Sequence, residues 1–201
     1  MKLRLRPLFS LVAALAITLT SAIALAGPAT DTVKAKQTTL FQLLAEDKPE
    51  SNKKIAAIFD EMLDYQAIAE AALGAEWKNR SDAEKKEFVG LLKQLVTKAY
   101  ERNLKKTLGY DIEYLGEEDK GEKRTLVKTR AKSKSDARAE PISIDFLLAD
   151  KGGGKFQIVD INTEGISLVT SYNTQFTKII KKDGFPALIQ KMKDKTAKGD
   201  V

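Results

Sequence analysis

Asp160 is the residue whose type and setting come closest to catalysis. It ends an alternating run with Phe156 and Ile158, and a carboxylate buried on that face would serve as a general base. The plainer alternative places it at a strand end, accepting backbone N–H groups of the following turn. Carboxylates are held this way for purely structural reasons more often than for chemistry. The usual partners are missing in any case. The sequence contains no His and no Cys, which removes thiol nucleophiles, disulfides, Cys/His zinc sites and every Ser-His-Asp or Cys-His arrangement. An enzyme would have to work with Asp160 and a tyrosine on an apolar substrate, and Tyr172 reads as core; the other alternative is a solid-core interaction module that acts through its charged surface. Gly152-Gly153-Gly154-Lys155 invites comparison with a phosphate loop, but Phe156 and a strand follow where Ser or Thr and a helix are needed. A hairpin turn explains it. Glu117, Glu118 and Asp119 lack the alternation and glycine of a calcium loop and read as a solvated hairpin tip. No catalytic residue, metal site or cofactor is expected.

The elements that would hold these residues change type once along the chain. Apolar residues first recur at helical spacing: Leu40, Leu43 and Leu44, then Ile55, Ile58, Phe59, Met62 and Leu63 on a helix opened by Pro49. Asp64 is placed to cap a short helix through Ile68 and Leu73 that stops at Gly74. Ser81 and Glu84 have capping-box spacing at the head of the longest helix, whose apolar stripe runs from Phe88 to Tyr100 and Leu104. From Tyr110 the period falls to two. Strands are predicted at 110–114, 124–131, 142–148 and 156–161, joined by a polar turn at 117–121, a charged loop at 132–140 and the glycine turn. Ser167 then caps a helix ending at Gly184, and Pro186 starts a last one to about Lys195. The class is α+β: an antiparallel four-stranded curved sheet whose apolar face is covered by N-terminal helices and a C-terminal helix pair.

The 201 residues are 43% hydrophobic, enough for one core, and carry 34 basic against 28 acidic side chains, a formal charge of +6. Lys2, Arg4 and Arg6 precede an apolar run from Leu8 to Ile23 that ends in Ala24-Leu25-Ala26. That is the pattern of a cleavable secretory signal, with the cut after Ala26. Its removal takes away three basic and no acidic residues and leaves +3, interspersed along the chain and without the concentrated basic stripe that nucleic acid requires. No Cys follows to carry a lipid. The expectation is residues 1–26 as signal and 27–201 as one exported domain, periplasmic in a bacterium.

The run Phe156-Gln157-Ile158-Val159-Asp160-Ile161-Asn162-Thr163-Glu164-Gly165-Ile166-Ser167-Leu168, followed by Tyr172, Gln175 and Phe176, resembles the signature of the MlaC family of toluene-tolerance periplasmic proteins. Phe59-Asp60, Leu73-Gly74, Trp77 and Phe88 stand in the family's order upstream. Two positions depart: the family commonly has Trp at Phe156 and Arg at Asn173, and the second removes a cation that could have met a lipid headgroup. The resemblance implies a monomeric carrier that binds glycerophospholipid by its acyl chains and exchanges it with an outer-membrane lipoprotein complex and an inner-membrane ABC transporter. It implies no cofactor. Two acyl chains hold on the order of 30 methylenes, whose exposure would cost roughly 25 kcal/mol, so the implied pocket is apolar and of roughly 700 Å³. Apolar character and phase nominate its lining: Phe59, Met62 and Leu63; Ile68, Leu73 and Trp77; Phe88, Leu92 and Leu95; Tyr114, Ile144, Phe146 and Ile158 on the strands; and Tyr172 and Phe176 on the C-terminal helix.

Overall fold

The computed structural model describes residues 27–46 and 48–198, so the predicted signal lies outside the described residues. Four helices come first: α1 (Pro28–Glu46), α2 (Ser51–Met62), α3 (Tyr65–Leu73), which runs into a 3-10 segment at Gly74–Asn79, and α4 (Asp82–Thr107). The strands are β1 (Tyr110–Gly121), β2 (Arg124–Ser133), β3 (Ile142–Asp150), β4 (Phe156–Thr163) and β5 (Ile166–Ser167), and α5 (Leu168–Asp183) and α6 (Phe185–Lys198) close the chain.

Helix ends fall where a side chain can satisfy the unpaired backbone groups. Asp64 accepts the Ala67 N–H at 2.9 Å, and Ser167 accepts the Thr170 N–H at 3.0 Å. Ser81 and Glu84 form the reciprocal capping box, with Ser81 N–H donating to Glu84 at 2.8 Å and Glu84 N–H to Ser81 Oγ at 3.3 Å. Pro49 does not open α2. It sits in the turn before it, where Asn52 N–H bonds its carbonyl at 3.3 Å. The side chains of Tyr100 and Leu104 lie outside what is described.

The sheet is an antiparallel meander in the order β1-β2-β3-β4-β5. The fifth strand is a two-residue return that pairs Thr163 with Ile166. The predicted polar turn at 117–121 is instead the second half of β1, where Glu117, Glu118 and Asp119 pair with Val127, Leu126 and Thr125. Each acidic side chain has a partner. Thr30 donates to Glu117, Gly121 N–H donates to Asp119 at 2.8 Å, and Lys120 and Lys128 flank Glu118 and pull its carboxyl down to about 2. The reversal comes at Glu122 and Lys123, both at positive φ, 49° and 59°.

Two irregularities re-aim side chains. Between Tyr114 and Gly116 an extra residue, Leu115, shifts the register of β1. In β4, Asp160 pairs with Leu147 but Ile158 with Leu148, which leaves Val159 unpaired. A bulge reverses which face the following residues take. Glu117 is thereby brought to the helix-covered face and Asp160 is sent to the opposite one.

Helices α3 to α6 form the solid half of the interior. Phe88 meets Phe176 edge-on with ring centres 5.6 Å apart, Phe185 lies 6.3 Å from Phe88, and the Arg80 guanidinium covers Phe185 at 4.8 Å. Leu63 joins this half to the sheet through a parallel bridge to Ile158, with Asp64 N–H donating to the Ile158 carbonyl at 2.9 Å.

Candidate functional site: an apolar cavity

Between α1 and the inner face of the sheet lies a cavity of about 450 Å³. The sheet supplies its floor through Ile112, Thr129, Ile144, Phe146, Ile161 and Thr163. Phe146 stands beside Ile161 and Ile144 beside Thr163 in the β3–β4 register. One wall is α1, through Gln37 and Phe41; another is α4, through Val96 and Ala99. The β4–β5 turn and the start of α5 form the lip, with Glu164, Ile166, Leu168, Ser171 and Tyr172. Ile166 is 66% exposed, the one large apolar side chain among the described residues that stands so far out.

Several polar atoms in this lining are bonded to groups in or behind it. Tyr114 O–H donates to Gln37 Oε1 at 2.6 Å across the α1–β1 seam, and burial pushes the Tyr114 phenol up to about 12, so it stays a donor. The Thr129 hydroxyl donates to the Ile144 carbonyl, and Ser171 Oγ donates to the Ser167 carbonyl at 2.8 Å. Glu164, at φ 51° in the β4–β5 turn, accepts the Ser143 N–H and donates its own N–H to the Ser143 carbonyl at 3.0 Å. Tyr172 stacks on Phe176 at 5.2 Å, and burial raises its phenol pKa. The walls therefore present hydrocarbon, with one carboxylate at the rim. Among the described residues no cluster of three or more acidic, His or Cys side chains could hold a metal.

Of the predicted lining residues, the structure brings Ile144, Phe146 and Tyr172 to the cavity wall. Tyr114 stands behind Gln37. The other eleven (Phe59, Met62, Leu63, Ile68, Leu73, Trp77, Phe88, Leu92, Leu95, Ile158 and Phe176) are buried in the packed half of the core. The α1 pair Gln37 and Phe41 was missed, as were Ile112, whose alternation with Tyr114 marks the same sheet face, and Ile161, which the bulge at Val159 brings opposite Phe146. Thr163, Glu164 and Ser171 carry no apolar signal that would have pointed to a hydrocarbon pocket.

Asp160 is not on the cavity side. After the bulge it lies on the outer face with Leu126, Leu147 and Asn162. Its Oδ1 accepts the N–H groups of Ile161 at 2.8 Å and Val169 at 3.1 Å, and its Oδ2 the Ser167 hydroxyl at 2.6 Å. The carboxylate clamps β4 to the start of α5, the structural alternative weighed above. The glycine run is the β3–β4 turn, with Gly152, Gly153 and Gly154 all at positive φ and Lys151 N–H bonded to the Lys155 carbonyl at 2.8 Å.

Over residues 29–194 the chain matches the sequence family described as MlaC protein, and it belongs to that family. A solved structure of the same architecture, a phospholipid-binding protein from Ralstonia solanacearum in complex with a phospholipid, superposes with a TM-score of 0.70 at 19% identity, covering 86% of this chain and 99% of that one. No curated protein sequence registers as a relative. Asn173 donates from Nδ2 to the Ala72 carbonyl at 3.2 Å and faces Gly74. It ties α5 to α3 and does not reach the cavity.

Proposed function

We propose that this member of the MlaC family is an exported carrier that binds a glycerophospholipid by its acyl chains. The observation that carries this reading is the cavity, a hollow lined mainly by hydrocarbon in which Thr129, Ser171 and Glu164 are already bonded to protein. Such a lining offers an acyl chain an environment close to that of the bilayer, at about 0.8 kcal/mol per methylene removed from water. The Ralstonia solanacearum neighbour, with its bound phospholipid, supports the same class of ligand. Ile144, Phe146 and Tyr172 are the predicted residues that would touch the chains, joined by Phe41, Ile112 and Ile161.

The volume refines the expectation. At about 450 Å³ the cavity is smaller than the roughly 700 Å³ expected for two acyl chains. A two-tailed lipid would then need the second chain to run out along Ile166, or α1 to draw back from β1 and β2.

We read the protein as a binder and not an enzyme, since the hydroxyls of Thr129 and Ser171 are committed to backbone carbonyls and Asp160 is turned away. Transfer from a bilayer into this cavity would be close to balanced, so direction would come from partners. The family's outer-membrane lipoprotein complex and inner-membrane ABC transporter would fill that role, with the signal removed after Ala26 leaving residues 27–201 as a periplasmic monomer. The test is transfer of labelled phospholipid between donor and acceptor vesicles kept apart by a dialysis membrane that the protein crosses. Transfer rising in proportion to protein supports a carrier, and rates equal to the protein-free control refute it.

A further inference from the structure

The first turn of α1 is capped from another part of the chain. Gly27 occupies the N-cap position, where its carbonyl accepts the Asp31 N–H at 2.9 Å, and Pro28 is the first helical residue. An N-cap side chain ordinarily accepts the N–H of the third helical residue, and Gly27 has none. Glu117 takes its place from β1. Its Oε2 accepts both the Thr30 N–H at 2.8 Å and the Thr30 hydroxyl at 3.0 Å, and Thr30 is 0% exposed. The carboxylate reaches this spot because the bulge at Leu115 turns Glu117 toward the helices.

The second oxygen has a different neighbour. A Cβ placed on Gly27 would lie 2.0 Å from Glu117 Oε1 and 2.4 Å from its Cδ, so a side chain at position 27 would displace the carboxylate from this place. Close approach of the carboxylate favours glycine here. By standard bond geometry the Gly27 nitrogen is about 2.5 Å from that Cβ position, and hence within about 4.5 Å of Oε1.

We propose that Glu117 receives the α-ammonium group that cleavage after Ala26 creates on Gly27, so that removal of the signal and docking of α1 are coupled. The proposal rests on the reading of residues 1–26 as a cleaved signal. Hydrolysis of the Ala26–Gly27 amide by a signal peptidase consumes one water, releases the Ala26 carboxylate with the signal, and leaves an amine on Gly27 that is largely protonated at neutral pH. Before cleavage the same nitrogen is a neutral amide. Afterwards a positive charge stands at the positive end of a helix dipole, which is unfavourable unless an anion lies between them. Glu117 is that anion. Because α1 carries Gln37 and Phe41, the pairing fixes one wall of the cavity.

Four proteins test this: chains beginning at Gly27 or bearing Ser-Ala ahead of Gly27, each with Glu117 or with Glu117→Gln. The Gly27 start is expected to melt about 2–4 °C above the extended chain, and Glu117→Gln to abolish that difference. Equal melting of the two starts with Glu117 present, or a difference that survives Glu117→Gln, overturns the pairing. The intact mass of the exported protein tests the signal reading separately. A first residue of Gly27 supports the coupling, and any other start overturns it whatever the melts show.

Discussion

The two halves of the interior are built from the same kinds of residue and do different things. Around Phe88 the rings of Phe176 and Phe185 and the α3 residues Ile68, Ala69 and Ala72 leave no room. Across the sheet face, Ile112, Ile144 and Ile161 oppose Phe41 and Ala99 over a gap of about 450 Å³. In the first half aromatic rings from three helices interlock. In the second, α1 is held to the sheet at points along its length, by Glu117 at its first turn and by Tyr114 at Gln37. These props keep α1 seated without filling the space beneath it. Apolar pattern specifies which faces turn inward, while the spacing of the polar props decides whether the inside is filled.

This contrast can be broken at either end. Phe88→Ala in the packed half is expected to cost roughly 3–5 kcal/mol in urea unfolding; a loss below about 1 kcal/mol would mean that the region is not tightly packed. Tyr114→Phe leaves the buried Gln37 carbonyl oxygen, on a residue 5% exposed, without its donor, and is expected to cost about 1–3 kcal/mol. It also carries a pH signature. The folded phenol titrates near 12 and the unfolded one near 10, so the contribution of Tyr114 is full below pH 10 and declines as pH rises toward 12. The gap in stability between wild type and Tyr114→Phe should narrow across that window, and a constant gap would dissociate the phenol from the seating of α1. Ile144→Trp sets new volume into the hollow and is expected to change stability by less than about 1.5 kcal/mol while reducing bound lipid several-fold. A cost of 3 kcal/mol or more would show a floor already in close contact above Ile144.

Much of the fold was legible because its signals are local. Asp64, the Ser81–Glu84 box, Ser167, Gly74 and Gly184 mark helix ends by chemistry acting within four residues, and all of them stand where the sequence places them. What failed was what depends on distant partners. The acidic run at 117–119 looked like a turn because the partner of Glu117, Thr30, is far away in the chain. The face of Asp160 was inverted because a one-residue bulge at Val159 leaves no mark on the alternation. The cavity was legible only as apolar positions. Phe59, Phe88 and Leu92 have the same character as Phe146 and Ile144, and only the packing of α1 separates the filled positions from the hollow ones. Gln37 and Thr129 escaped notice since their polarity is cancelled by Tyr114 and by the Ile144 carbonyl, a pairing that no sequence window contains.

The most direct test of an acyl-chain cavity is native mass spectrometry of the protein purified without detergent from a bacterial periplasm, alongside Ile144→Trp. The cavity predicts one phospholipid mass per chain on the wild type, with its identity confirmed by extraction, and a largely unliganded variant that still folds. Wild-type protein carrying no lipid, or lipid retained undiminished by Ile144→Trp, would contradict it.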